Sequence, residues 1–179
     1  VRKLYLNGAL SDTDTGGSQS GSSLANSTAV LAIGDRPSHS YEIDGKMADV
    51  KLFSKELSAA NVKELYKNSK VIIPTAQDPS GAFLSQADLL LGAPLTEGAG
   101  TIAYDESGNG RSGTYTGTSF LTGQTGCPQL VTGYNKPMLF SNPQYIEVPQ
   151  DSALDVGTSD FTVSAWIWPK TGSQTNMFM

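Results

Sequence analysis

The sequence predicts an all-β protein: an antiparallel β-sandwich of the jelly-roll kind with one short helix. Three observations predict it. Short runs of residues alternate apolar and polar side chains with a period of two. Turn-forming residues recur about every ten positions, dividing the chain into about eight short strands. Only 16% of the 179 residues are charged, while glycines number 19 and prolines 9. That balance suits a turn-rich extracellular or virion-type protein rather than a helical cytosolic enzyme.

The elements follow in order. Residues 1–6 (VRKLYL) alternate Leu4 and Leu6 against Arg2, Lys3 and Tyr5, which suits a half-buried strand. Asn7-Gly8 comes next, a hairpin signal because both residues tolerate positive φ. Residues 11–27 are almost wholly Ser, Thr, Gly, Asp and Asn, and read as a loop or an irregular edge strand. Residues 28–34 (TAVLAIG) read as a short buried strand. In 47–53 (MADVKLF), Ala48, Val50 and Leu52 fall on one face, and Asp49, Lys51 and Phe53 on the other. Ser58 then offers a helix N-cap, followed by Val62, Leu65 and Tyr66 at helical spacing.

Residues 71–88 carry Pro74 and Pro79 and few periodic apolar positions, as a linker would. Strands are expected at 89–91, 114–117, 137–140 and 144–148, with a Gly-rich loop at 105–113 and irregular chain at 118–136. The clearest strand is 160–168 (DFTVSAWIW). One face holds Phe161, Val163, Ala165 and Ile167; the other runs from Thr162 and Ser164 to Trp166 and Trp168, and Pro169 ends it.

Composition excludes several functions. The net charge of −5 disfavours nucleic acid as a partner. Cys127 is the single cysteine, so no internal disulfide and no Cys-based zinc site can form. No apolar run approaches the length of a membrane span, and no signal peptide is visible, so membrane insertion is not expected. There is no Gly-x-x-x-x-Gly-Lys phosphate loop. His39, the one histidine, lies between Ser38 and Ser40 without an orienting acid and reads as a surface loop residue. The chain starts inside one strand and stops just after another, as an excerpt of a longer polypeptide would.

Two stretches resemble the laminin-G-like, concanavalin A-like jelly-roll family. Leu95-Thr96-Glu97-Gly98-Ala99-Gly100, Tyr104-Asp105-Glu106-Ser107-Gly108-Asn109-Gly110-Arg111-Ser112-Gly113, Tyr145-Ile146-Glu147-Val148-Pro149 and Asp160 through Pro169 resemble the front half of a family unit. Leu4-Tyr5-Leu6-Asn7-Gly8, Gly45 through Val50, Leu57-Ser58 and Leu65-Tyr66 resemble the back half. The order is reversed. The resemblance implies the back half of one module at 1–70, a linker at 71–88 and the front half of a following module at 89–179. Tandem modules account for this better than circular permutation, because a permutant would still contain the middle of the unit.

Three chemistries follow. Asp105 and Asn109, four apart in a Gly-rich turn, offer oxygens to a hard cation such as calcium, or simply cap the backbone of a turn. In relatives, this loop and an Asp of an "I-D-D-V" strand imply a calcium site; here Ala48 replaces the first Asp, Asp49 alone remains, and it belongs to the other half-unit. Sugar binding needs an aromatic platform, and Trp166 and Trp168 share one strand face, where lining a second layer of core is the alternative. Glucan-cutting relatives carry a Glu-x-Asp-x-Glu motif; Glu42-Ile43-Asp44-Gly45-Lys46 puts Lys46 in place of the third acid, so no catalytic residue is assigned. The expected function is therefore a non-catalytic adhesion module binding glycans or surface proteins outside the cell, at a cell surface or on a virion. The alternative is a virion structural component (decoration, spike or fibre) contacting other virion proteins. A non-catalytic appendage of a glycosidase is a third possibility.

Overall fold

The computed structural model describes residues 1–15, 30–34, 43–67, 86–117, 138–140 and 144–169. Among them are ten strands and one α-helix, and every paired strand is antiparallel. The fold is an antiparallel β-sandwich with one short helix.

The first two strands, β1 (Arg2–Leu6) and β2 (Ala9–Asp14), form a hairpin. Leu6 pairs with Ala9 around Asn7 (φ 51°) and Gly8 (φ 75°), the left-handed pair the Asn-Gly signal predicts. Ser11–Asp14, read from sequence as a loop or an irregular edge strand, complete β2. Their ladder to β1 is made by backbone and needs no apolar side chain.

One sheet has the order β10 (Thr162–Pro169), β4 (Gly45–Phe53), β5 (Leu89–Ala93), with β8 (Met138–Phe140) also paired to β4. The other has the order β3 (Leu31–Ile33), β9 (Tyr145–Val148), β7 (Gly113–Thr116), β6 (Ile102–Ala103). Ile33, Met47, Val50, Leu52, Leu91, Leu95, Tyr115, Phe140, Ile146 and Val148 meet in one core, drawn from both sheets. Leu95 is buried although its φ is +60°; its side chain anchors a backbone conformation that leucine rarely takes. Gly34 (φ +99°) leaves room for Phe140: a Cβ there would lie 2.4 Å from the ring.

A smaller cluster of Phe53, Leu57, Leu65 and Leu89 lies beneath α1 (Ala59–Lys67). Ser58 caps this helix as predicted: its Oγ accepts from the Asn61 N–H at 3.2 Å. Asn61 is itself buried and also bonded to Ser58, a packing role the helical pattern did not signal.

Two alternations predicted from sequence are corrected. In β4, Met47 rather than Ala48 shares the core with Val50 and Leu52. Asp49 takes φ +54°, and Asp49 and Val50 bulge against the single residue Ala165 of β10, which reverses the faces. In β10, Ala165 and Ile167 pack on the core, but Val163 is 60% exposed, and Phe161, just before the strand, is exposed as well.

The strands do not sort by half-unit. β4 lies before the stretch expected to be a linker, yet every strand paired with it lies after that stretch.

Candidate functional site

The loop between β6 and β7 is organised by Asp105. Its Oδ1 accepts from the backbone N–H groups of Gly92 (3.0 Å) and Ser107 (2.9 Å). Its Oδ2 accepts from the Ser107 hydroxyl (2.8 Å) and the Arg111 N–H (2.9 Å). Asn109 turns its amide nitrogen inward and donates to the carbonyls of Leu89 (2.8 Å) and Leu90 (3.2 Å). Arg111 donates through Nη1 to the Leu90 carbonyl and through Nε to Asp151, both at 2.7 Å. The loop therefore acts as a bracket fastened to β5.

This bracket does not suit calcium. A carboxylate offers about four lone-pair sites, and all four of Asp105's receive donors. A calcium ion wants six to eight oxygens, and Asn109 has committed its nitrogen to the nearest carbonyls. Among the described residues, no group of three or more His, Cys, Asp or Glu side chains could hold a metal ion. The structure does bring the loop and Asp49 to the same strand, since the Asp49 N–H donates to the Pro94 carbonyl (3.1 Å) just past β5.

Burial is the largest influence on Asp105 and pushes its carboxyl upward, but the four hydrogen bonds together outweigh it and hold the group below the usual carboxylate range. The N–H of Ala153, then Arg111, lower Asp151 in the same direction. Carboxylates held low in the folded state stabilise it fully above their unfolded value, about 3.9, and lose that contribution as pH falls through the folded value. Acid titration from pH 5 to pH 2 is therefore expected to destabilise the fold. Asp105→Ala should be less stable at pH 7 by about 2–3 kcal/mol yet lose less over that acid interval. Thermal melts across pH check both.

The second feature is a charged pair in the sheet. Lys51 is 4% exposed and Asp49 6%, and the ammonium donates to Asp49 Oδ1. A carboxylate committed to a buried cation makes a poor general acid or nucleophile. Glu97 is likewise engaged, accepting from the Tyr104 N–H and the Tyr115 hydroxyl, each at 2.9 Å. Burial, then Glu97, pushes that hydroxyl far above its ordinary range. Of the Glu42–Lys46 string, Asp44 and Lys46 are described; Glu42, His39 and Cys127 lie outside the described residues.

The third feature is aromatic. Tyr66 of α1 stacks on Trp166 (centroids 5.4 Å apart, planes 25°), and Trp166 stacks on Trp168 (6.3 Å, 22°). The row stands on the face of β10 opposite Ala165 and Ile167, which pack on the core. Both tryptophans are half-buried, and Tyr66 is 43% exposed. Across the ladder from Trp168 is Lys46. The hairpin braces the row, because a Cβ on Gly8 would lie 2.8 Å from that of Tyr66. Gly8→Ala should thus cost about 1–2 kcal/mol in backbone strain and push Tyr66 away from Trp166. Near-ultraviolet circular dichroism of the stacked rings reads the displacement. Spacing alone had put Tyr66 on the apolar face of the helix; its stacking across to β10 required the fold.

Residues 1–63 match the family model Laminin_G_3, described as the concanavalin A-like lectin/glucanases superfamily. No curated protein and no solved structure matches the chain.

Proposed function

We propose, from that match and from the aromatic row, that the chain is a non-catalytic binding module whose ligands are glycans displayed outside the cell or on a virion surface. A jelly-roll superfamily that includes lectins supports ligand binding in general. The observation that carries the glycan reading is the half-exposed row Tyr66–Trp166–Trp168. Sugars pack their apolar faces on aromatic rings and are oriented by a few fixed polar groups. Among the described residues, Trp168 ends the row by stacking on Trp166, and Lys46 stands across the ladder from it as a donor. The non-catalytic reading draws on Asp49, Glu97 and Asp105, each engaged in holding structure.

The chain has two tryptophans, and both stand in the row. Tryptophan emission, excited selectively at the red edge where tyrosine does not absorb, therefore reports on this surface. Titration with a panel of oligosaccharides is expected to shift or quench emission for at least one class. Trp168→Ala is expected to weaken that binding by about tenfold or more, equivalent to about 1.4 kcal/mol. A panel that leaves emission unchanged, or binding that survives loss of Trp168, defeats the proposal. Release of reducing ends from a bound glucan by the purified chain would refute the non-catalytic part.

A further inference from the structure

We infer that residues 1–67 and 86–169 are mutual binding partners: two complementary half-sandwiches whose association does not depend on the covalent connection between them, so that a second copy of the chain can supply either half.

The inference rests on where hydrogen bonds are made. Among the described residues, the first segment forms one strand pair within itself, the exposed hairpin β1–β2. Its longest strand, β4, is bonded along both edges by the second segment. β10 covers one edge from Gly45 to Phe53. On the other edge, β8 takes Gly45–Met47 and β5 takes Val50–Phe53. β3 is joined to β9 in the opposite sheet. Each sheet of the sandwich thus contains strands from both segments.

Packing repeats the pattern. Ile33, Met47, Val50 and Leu52 bury against Leu91, Leu95, Phe140, Ile146 and Val148. Beneath the helix, Phe53, Leu57 and Leu65 bury against Leu89. Polar ties cross as well. Thr162 Oγ1 accepts from the Leu57 N–H (3.0 Å) and donates to the Lys55 carbonyl (2.8 Å), 105 and 107 residues away in sequence. Lys55 pairs with Asp88 at 2.6 Å, and the Ser54 N–H reaches the Asp88 carbonyl at 2.9 Å.

Deprived of the second segment, β4 would expose apolar side chains on both faces together with two rows of backbone polar groups. The second segment alone would lose the strand between β10 and β5. Neither surface suits water, and each is shaped to the other. Exchange of identical elements between copies is the known low-cost route when such a surface exists. The reversed order of the half-units fits this: each half finds its complement in a part of the chain that the order of a single family unit would not supply.

The test uses the full chain with a specific protease site inserted between Asp78 and Pro79. After native cleavage, the two pieces are expected to elute together at the intact size and to part only in denaturant. Pieces that separate on the native column overturn the inference. Two such cleaved preparations, tagged differently on the first piece and carrying second pieces of different isotopic composition, are then mixed, unfolded and refolded. Each tag is expected to capture second pieces from both preparations, and capture restricted to the original partner overturns exchange. Should the insertion itself prevent folding, hydrogen exchange on the unmodified chain decides. Amides of β4, β5 and β10 are expected to open in one cooperative event, and separate openings for the two segments overturn the inference.

Discussion

Asp49→Asn is expected to destabilise the protein by about 3–5 kcal/mol, read as a lower midpoint in urea unfolding. Asparagine is chosen because it tolerates the φ of +54° that residue 49 adopts in the bulge of β4. The loss therefore reports charge, not backbone strain. Lys51 keeps its ammonium in a site almost closed to water, and its counter-charge is gone. The double variant Asp49→Asn/Lys51→Met is expected to recover most of the loss, since an apolar side chain of similar length needs no partner there. A double variant no more stable than Asp49→Asn would show that the carboxylate matters through something other than the pair.

The second large effect is at Phe140, which is 0% exposed on β8. Phe140→Ala removes a ring from the centre of the core and is expected to cost about 3–5 kcal/mol. The contact with Gly34 makes the experiment more informative. In the native background Gly34→Ala drives a methyl to within 2.4 Å of the ring and adds a positive-φ penalty. Where Phe140 is already alanine, that methyl enters vacated space. The two substitutions should then cost less together than the sum of each alone, by about 1 kcal/mol or more. Additive losses would mean that the ring does not occupy this position in solution.

Some of this architecture could be read before any coordinates. The Asn7-Gly8 hairpin, the Ser58 cap, the strands expected at 89–91 and 144–148 and the long strand ending at Pro169 follow from local rules: left-handed tolerance, capping geometry, period-two burial. Two kinds of information were not local. One is the bulge at Asp49. A single left-handed residue inverts the faces of β4, and no alternation rule anticipates an aspartate there. That inversion parts Ala48 from Val50 and Leu52, which strict alternation sets on one face, and brings Met47 to them in the core. The other is partnership. Asp105 and Asn109 can be read as a cation site or as a turn, because their types and spacing are the same in both. The donors arriving from Gly92, Ser107 and Arg111 come from the fold and are not written in those two residue types. Trp166 and Trp168 were legible as a pair on one face, but their third member, Tyr66, comes from a helix about a hundred residues earlier. The meeting of residues 1–67 and 86–169 within each sheet is likewise not legible, because resemblance orders segments along a unit and says nothing of which segments pair.

The central position of β4 has a consequence for biosynthesis. A ribosome delivers this strand long before the stretch containing Thr162, whose hydroxyl bonds a residue 105 positions earlier, has been made. Throughout that interval the nascent chain carries a nine-residue strand with apolar faces whose β10 edge has no neighbour, and whose other edge waits first for β5 and then for β8. Loop closure over such a separation is slow, and waiting strands of this type are aggregation-prone. Yield in a fast-translating host should therefore depend on chaperone supply far more than the equilibrium stability of the finished sandwich would suggest.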